Sequence, residues 1–193
     1  MDNLIIFVEG ENDKLFFEKI ILKLFSLKEE YNQKEDKIKI VKYQEKGKKK
    51  FLQHLNFINK HNIHYIFISD FDSRKCITSR KQEKIKKYYR EGYDKLESDN
   101  IFIVKNEIES WFLAGVDNKQ KIFRNINVPK DTEKTSKNCL EQLLKKTQFN
   151  SRVDFFIEFS EHYNYGLAMQ RNESFRYFLE KLELNEIISF TIV

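Results

Sequence analysis

Five acidic residues in this chain have the type and spacing to address a hard divalent cation: Glu9, Asp70, Asp72, Glu107 and Glu109. Magnesium takes oxygen ligands and keeps several waters, so a few carboxylates together with substrate phosphates suffice to hold it. Asp70 and Asp72 are two residues apart, and in an extended or turning backbone such residues point the same way. Both carboxylates then address one ion while Phe71 turns into the fold. Glu107 and Glu109 repeat the spacing and suit a second ion, and two ions can clamp the attacking and leaving oxygens of a phosphoryl displacement. A lone acid is ordinarily a loop carboxylate or a helix-dipole charge, and Glu11, Asp94 and Asp99 are read that way. Acids gathered in one place are different, because like charges brought together are costly without a cation.

The gathering follows from the elements around these residues. Leu4 to Val8, Tyr65 to Ser69 and Asn100 to Val104 are short continuous apolar runs, the pattern of strands buried on both faces of a parallel sheet. Lys37 to Tyr43 sets Ile38, Ile40 and Tyr43 against lysines, with Val41 off phase, and reads as a strand nearer an edge. Helical spacing occupies the intervals: Glu11 to Leu27, Lys48 to His61 and the charge-laced Ser79 to Glu97. Strands alternating with helices predict a mainly parallel four-stranded α/β sheet flanked by helices. In such sheets the site lies past the carboxyl ends of the strands. Glu9 follows the first strand, Asp70 and Asp72 the third, and Asn106, Glu107 and Glu109 the fourth. The acids therefore converge on one sheet edge.

Composition agrees. Phe occurs 18 times and Tyr 9 times, against one proline and 5 glycines, which favours helices and short loops over disorder or a turn-rich sandwich. The net charge of +5 is mild, but the basic residues bunch at Lys46 to Lys50 and from Arg74 to Arg90. A polyanion is one explanation and a solvated helix face the other. Two distant cysteines, Cys76 and Cys139, argue against a disulfide scaffold or a zinc ribbon and suit a reducing cytosol. No run approaches a membrane span or a signal sequence, so a cytoplasmic protein with no membrane partner is expected. The second half reads as helices at Thr135 to Thr147, Ser151 to Glu161 and Asn172 to Leu182, preceded by Pro129. The division expected is an α/β core over residues 1–114 and a small helical extension over 115–193 packed on that core.

Phe7-Val8-Glu9-Gly10-Glu11-Asn12-Asp13 resembles the first Toprim motif, and Phe67-Ile68-Ser69-Asp70-Phe71-Asp72 the Asp-x-Asp motif that follows the third Toprim strand. Ile108-Glu109-Ser110-Trp111-Phe112-Leu113-Ala114 resembles the Ile-Glu-x-Trp-x-Leu-Ala element of stand-alone bacterial and archaeal Toprim proteins related to OLD-family nucleases. The stretch from Ala168 to Phe178 resembles their closing Ser-Phe helix. The resemblance implies a Toprim, Rossmann-like fold and a nuclease dependent on Mg2+ or Mn2+, linked to phage defence or DNA repair. It implies DNA or RNA as partner, and homo-oligomers are a further expectation. There is no P-loop, so any ATPase is a separate subunit.

By that resemblance Glu9 is a metal ligand or the general base that activates water. Asp13, Asp70, Asp72, Glu107 and Glu109 complete the metal set; the alternative for Asp13 is a helix-dipole charge. Gly10 permits close backbone approach or positive φ. Lys105 stabilises developing phosphorane charge, its alternative being a neutralising salt bridge. Arg74, Lys75, Arg171 and Arg176 grip nucleic acid. Ser174 is a helix cap or a polar site residue. Trp111, Phe112, Tyr163 and Tyr165 are read as packing, and the four histidines form no ligand spacing. Against the nuclease stand two other functions: a non-catalytic nucleic-acid-binding or regulatory module, and a primase-like phosphotransfer enzyme.

Overall fold

The computed structural model describes residues 4–28, 38–44, 47–71, 76–90, 96–124, 126–135, 138, 141–142, 145 and 151–191. Four strands, β1 (Leu4–Val8), β2 (Ile38–Lys42), β3 (His64–Asp70) and β4 (Ile101–Val104), form one sheet in the order β2-β1-β3-β4. Every pairing is parallel. The architecture is α/β and Rossmann-like, with helices on both faces.

Strand parity explains how the sheet is covered. Leu4, Ile6, Val8, Ile66, Ile68, Phe102 and Val104 project into one buried cluster. Ile5, Phe7, Tyr65, Phe67, Ile101 and Ile103 project into the other. Successive side chains leave a strand on opposite faces, so a strand apolar at every position is one covered twice. β2 lies at the edge, as expected, and its phase resolves on the same rule. Ile38 and Ile40 pack against the first cluster, while Val41 and Tyr43 enter the second.

The first face is covered by one helical run: α1 (Glu11–Phe16), a π-helical stretch (Phe17–Ile21) and α2 (Leu22–Leu27). Across the π stretch the Leu22 N–H donates to the Phe17 carbonyl, five residues back. The Ile20 carbonyl accepts the Tyr165 hydroxyl at 2.9 Å. The opposite face is covered by α3 (Gly47–Lys60) and α4 (Ile77–Arg90), which contribute Phe51, Leu55, Ile58 and Tyr88. α4 begins two residues before Ser79 and does not reach Glu97; Leu96 and Glu97 are irregular and Ser98–Asn100 is a 3-10 turn leading into β4.

After β4 come α5 (Glu109–Ala114), α6 (Arg152–Glu161), α7 (Tyr165–Arg171), α8 (Glu173–Lys181) and α9 (Asn185–Thr191). α7 and α9 escape the sequence reading because each is 7 residues long, too short for apolar periodicity to declare itself. Of the expected Thr135 to Thr147 helix, Asn138, Glu141, Gln142 and Lys145 are helical, Thr135 is not, and the remainder lies outside the described residues. Phe155, Phe159, Phe175 and Phe178 join Phe16, Phe17, Trp111 and Phe112 in the first cluster. The residues after 114 therefore share a core with those before it. No helix among the described residues is long and apolar enough to cross a membrane.

Candidate active site

Glu9 is the first residue past β1 and leaves the strand on the α3/α4 side, by parity with Phe7. The Tyr43 N–H donates to the Val8 carbonyl at 3.0 Å, extending the β2 pairing by one step and bringing Tyr43 alongside Glu9. Glu9 Oε1 then accepts three hydrogen bonds: Tyr43 Oη at 2.6 Å, Ser69 Oγ at 2.8 Å and Lys84 Nζ at 3.0 Å. Oε2 accepts Gln44 Nε2 at 2.7 Å, on the solvent side. Burial pushes the Glu9 carboxyl up, but the Lys84 charge and the Tyr43, Ser69 and Lys84 hydrogen bonds together hold it below its ordinary value.

Lys84 is itself buried, 8% exposed. Its ammonium also donates to Tyr43 Oη at 3.2 Å and lies 5.6 Å and 6.0 Å from the ring centroids of Tyr43 and Phe67. A buried ammonium is retained only when paired and hydrogen-bonded, and Glu9 and Tyr43 meet that requirement. Lys84, Tyr43, Ser69 and Gln44 are site residues that sequence reasoning did not single out. One signal existed. Ile77, Lys84, Ile85 and Tyr88 fall on one helical face, and a lysine on an apolar stripe must find a partner inside.

A second group of acids meets at the start of α1. The Gly10 N–H donates to Asp13 Oδ2 at 3.1 Å, while Asp13 Oδ1 is buried with no hydrogen-bond partner. Asp13 is 5% exposed. Burial, with the charges of Glu9 and Glu109 adding to it against the Gly10 and Asp13 backbone bonds, pushes its carboxyl up to about 7. Glu109, in the first turn of α5, is also buried and accepts Asn12 Nδ2 at 2.6 Å. Gly10 sits at φ −131°, an extended geometry, and a Cβ there would meet Asp13 Oδ2 at 3.4 Å, ordinary contact. Positive φ therefore does not require the glycine, and the described parts of the chain leave room for a Cβ there.

Asp70 ends β3 beside Val104, and its carbonyl accepts Arg80 Nε at 3.4 Å. Glu107 is half-buried and follows Asn106, whose φ of 73° turns the chain from β4 toward α5. Asp72, Arg74 and Lys75 lie outside the described residues. Among the described residues no three His, Cys, Asp or Glu side chains stand close enough to enclose a metal ion.

Three of the basic residues assigned to phosphate, Lys105, Arg171 and Arg176, have partners within the fold. Lys105 Nζ pairs with Glu133 at 2.9 Å and Glu173 at 2.6 Å, the salt-bridge alternative. Arg171 does not reach toward the acids; its guanidinium donates to the carbonyls of Ala114 and Val116 at 3.2 Å and 2.6 Å. Arg176 faces Glu180 on its own helix at 3.9 Å. In α4, Arg80 approaches Glu83 and Lys81 donates to the Ser98 carbonyl. Much of the basic cluster on this helix therefore works within the fold.

The Ser-Phe segment is a buried polar hub. Asn172, not Ser174, caps α8, accepting the Phe175 N–H at 2.9 Å. Its Nδ2 donates to Ser110 Oγ and Thr132 Oγ1 at 3.3 Å and 3.1 Å. Ser174 Oγ donates to Asn172 Oδ1 at 2.8 Å and accepts the Trp111 indole N–H at 2.9 Å and the Lys105 N–H at 3.3 Å. The hub ties the extension to the turn that carries Glu107 and Glu109.

Residues 8–183 match the family described as "Domain of unknown function (DUF4276)". No curated protein and no solved structure matches the chain.

Proposed function

The chain belongs to the DUF4276 family, and from the acids at its sheet edge we propose that it is a divalent-cation-dependent nuclease, hydrolysing phosphodiester bonds of DNA or RNA. The observation that carries the reading is Asp13, whose buried Oδ1 lacks a hydrogen-bond partner while the charges of Glu9 and Glu109 bear on it. Such an oxygen has a desolvation cost that a hydrogen bond does not offset, and a hard cation offsets it. The donor set is all oxygen. Magnesium needs only one or two protein carboxylates, with water and substrate phosphate completing its shell. Asp13 and Glu9, through its outward Oε2, would hold Mg2+ or Mn2+ directly, with Glu109 and Asp70 reached through the ion's waters. The ion, when bound, supplies charge stabilisation to the phosphoryl oxygens and an acidified water. The resemblance of the Glu9–Asp13 and Asp70–Asp72 segments to Toprim motifs supports the same reading, as does its link to OLD-family nucleases working with a separate ATPase.

The chain's own groups have distinct tasks. Glu9, kept ionised by Lys84, serves as a fixed negative charge and is a poor proton acceptor at neutral pH. A second reading, a non-catalytic binding module, is favoured by one observation: the Glu9 carboxylate already accepts four hydrogen bonds.

One experiment separates the two. Wild type, Glu9→Gln and Asp13→Asn are incubated with single- and double-stranded DNA and RNA in Mg2+, Mn2+ or EDTA. Metal-dependent cleavage by the wild type, reduced about 100-fold or more in both variants, is expected. An intact panel in every metal, including with any neighbouring ATPase supplied, sinks the nuclease reading.

A further inference from the structure

Lys84 was described above as the partner of Glu9, and its placement says more than neutralisation requires. A counter-charge need only lie near the carboxylate. Lys84 instead reaches Glu9 from within the fold, between the Tyr43 and Phe67 rings, and its Nζ contacts Oε1 alone among the Glu9 oxygens in these bonds. Tyr43 Oη donates to the same Oε1 and accepts from the same Nζ, and Ser69 Oγ donates to it as well. Three donors from three elements thus converge on one oxygen. The other, Oε2, meets Gln44 on the solvent side. Two carboxylate oxygens treated so differently define an orientation, which a neutralising charge alone would leave free.

We infer that Lys84, with Tyr43, is a positioning residue: it pins Glu9 Oε1 into the sheet so that Oε2 is the oxygen presented to a divalent cation at the edge. This rests on the cation-dependent reading above. Its ground is the general behaviour of partners that orient ligating carboxylates, whose loss commonly weakens metal affinity by roughly 10- to 100-fold. The opposing account makes Lys84 a plain counter-charge, and the two accounts differ in sign. Removing a cation from beside a metal site strengthens divalent binding by Coulomb's law, whereas releasing the carboxylate from its orientation weakens it.

The test is Mn2+ affinity, read by calorimetry on the metal-free protein, with a thermal melt of each variant. Lys84→Met keeps the buried stem and removes the charge. Tyr43→Phe removes one hydroxyl and changes no charge at neutral pH. The expected result is Mn2+ binding weakened about 10-fold or more in Lys84→Met, and weakened to a smaller extent in Tyr43→Phe. Unchanged or tighter binding in a folded Lys84→Met overturns the inference and leaves the nuclease reading standing. If Lys84→Met does not fold, Tyr43→Phe decides: weaker Mn2+ binding supports positioning, and wild-type affinity overturns it. A wild type that binds no Mn2+ overturns this inference and the cation-dependent reading together.

Discussion

Asp13 carries a cost that the proposed site would impose on the fold. Its carboxyl is pushed from an ordinary 3.8 to about 7. The folded state thus holds the proton more tightly than the unfolded chain. Stability from this residue is complete below about pH 4 and is lost as pH rises toward 7. Above that range the ionised Asp13 costs the metal-free fold on the order of a few kcal/mol. Asp13→Asn should therefore raise the melting temperature in EDTA at pH 8 and change it little at pH 4. Added Mg2+ should then stabilise the wild type and not the variant. A variant that melts lower than wild type at pH 8 in EDTA would contradict this account. Glu9 behaves oppositely, because Lys84 needs it. Glu9→Gln leaves a buried ammonium without its carboxylate and should cost about 3 kcal/mol in urea unfolding; a cost near zero would mean that Lys84 finds another partner. At this scale the sequence marked Glu9, Asp13 and Glu109 by type and position. It did not mark Lys84, whose significance depends on which face of α4 meets the sheet.

Among the elements, the turn between β4 and α5 depends most on remote support. Asn106 Nδ2 donates to the Thr135 carbonyl at 2.9 Å, and the Lys105 N–H reaches Ser174 across 69 positions of chain. Asn172 is fully buried and joins Ser110, Thr132, Ser174 and Phe175. Asn172→Ala removes a helix cap and leaves buried hydroxyls short of a donor, so a loss of about 3 kcal/mol is expected from denaturant melts. A loss below about 1 kcal/mol would show that water replaces the side chain. Gly115 is constrained in another way. A methyl there would overlap the buried Tyr163 ring, whose hydroxyl donates to the Trp111 carbonyl at 2.8 Å. Gly115→Ala should cost about 1–3 kcal/mol through overpacking, and a thermal melt like that of wild type would refute the clash.

For the whole molecule, the cluster on the α1 face sets the folding unit. Phe16 is fully buried and meets Trp111, Phe112, Tyr163 and Phe175 at centroid distances between 4.7 Å and 6.1 Å. Two of those rings come from beyond residue 114, so a chain ending at 114 would expose a large apolar face. A fragment of residues 1–114 should lack a cooperative thermal transition, while the full chain melts in one step. A fragment that melts cooperatively would make the extension a separate unit.

The sequence by itself determined the strands, their burial on both faces and the strand ends after which Glu9, Asp70 and Glu107 fall. Those follow from short continuous apolar runs, the pattern of strands buried on both faces of a parallel sheet. It also carried the aromatic composition from which the shared core is built. The tertiary structure decided which charges face one another. Lys105 and Arg171 look like phosphate ligands in the chain, yet their donors meet Glu133, Glu173 and backbone carbonyls of residues distant in sequence. Lys84 looks like one surface lysine among many, yet it enters the sheet beside Glu9, 75 positions away. A charge acts over a few ångströms within the fold, and those distances exist only once helices and strands have been packed together.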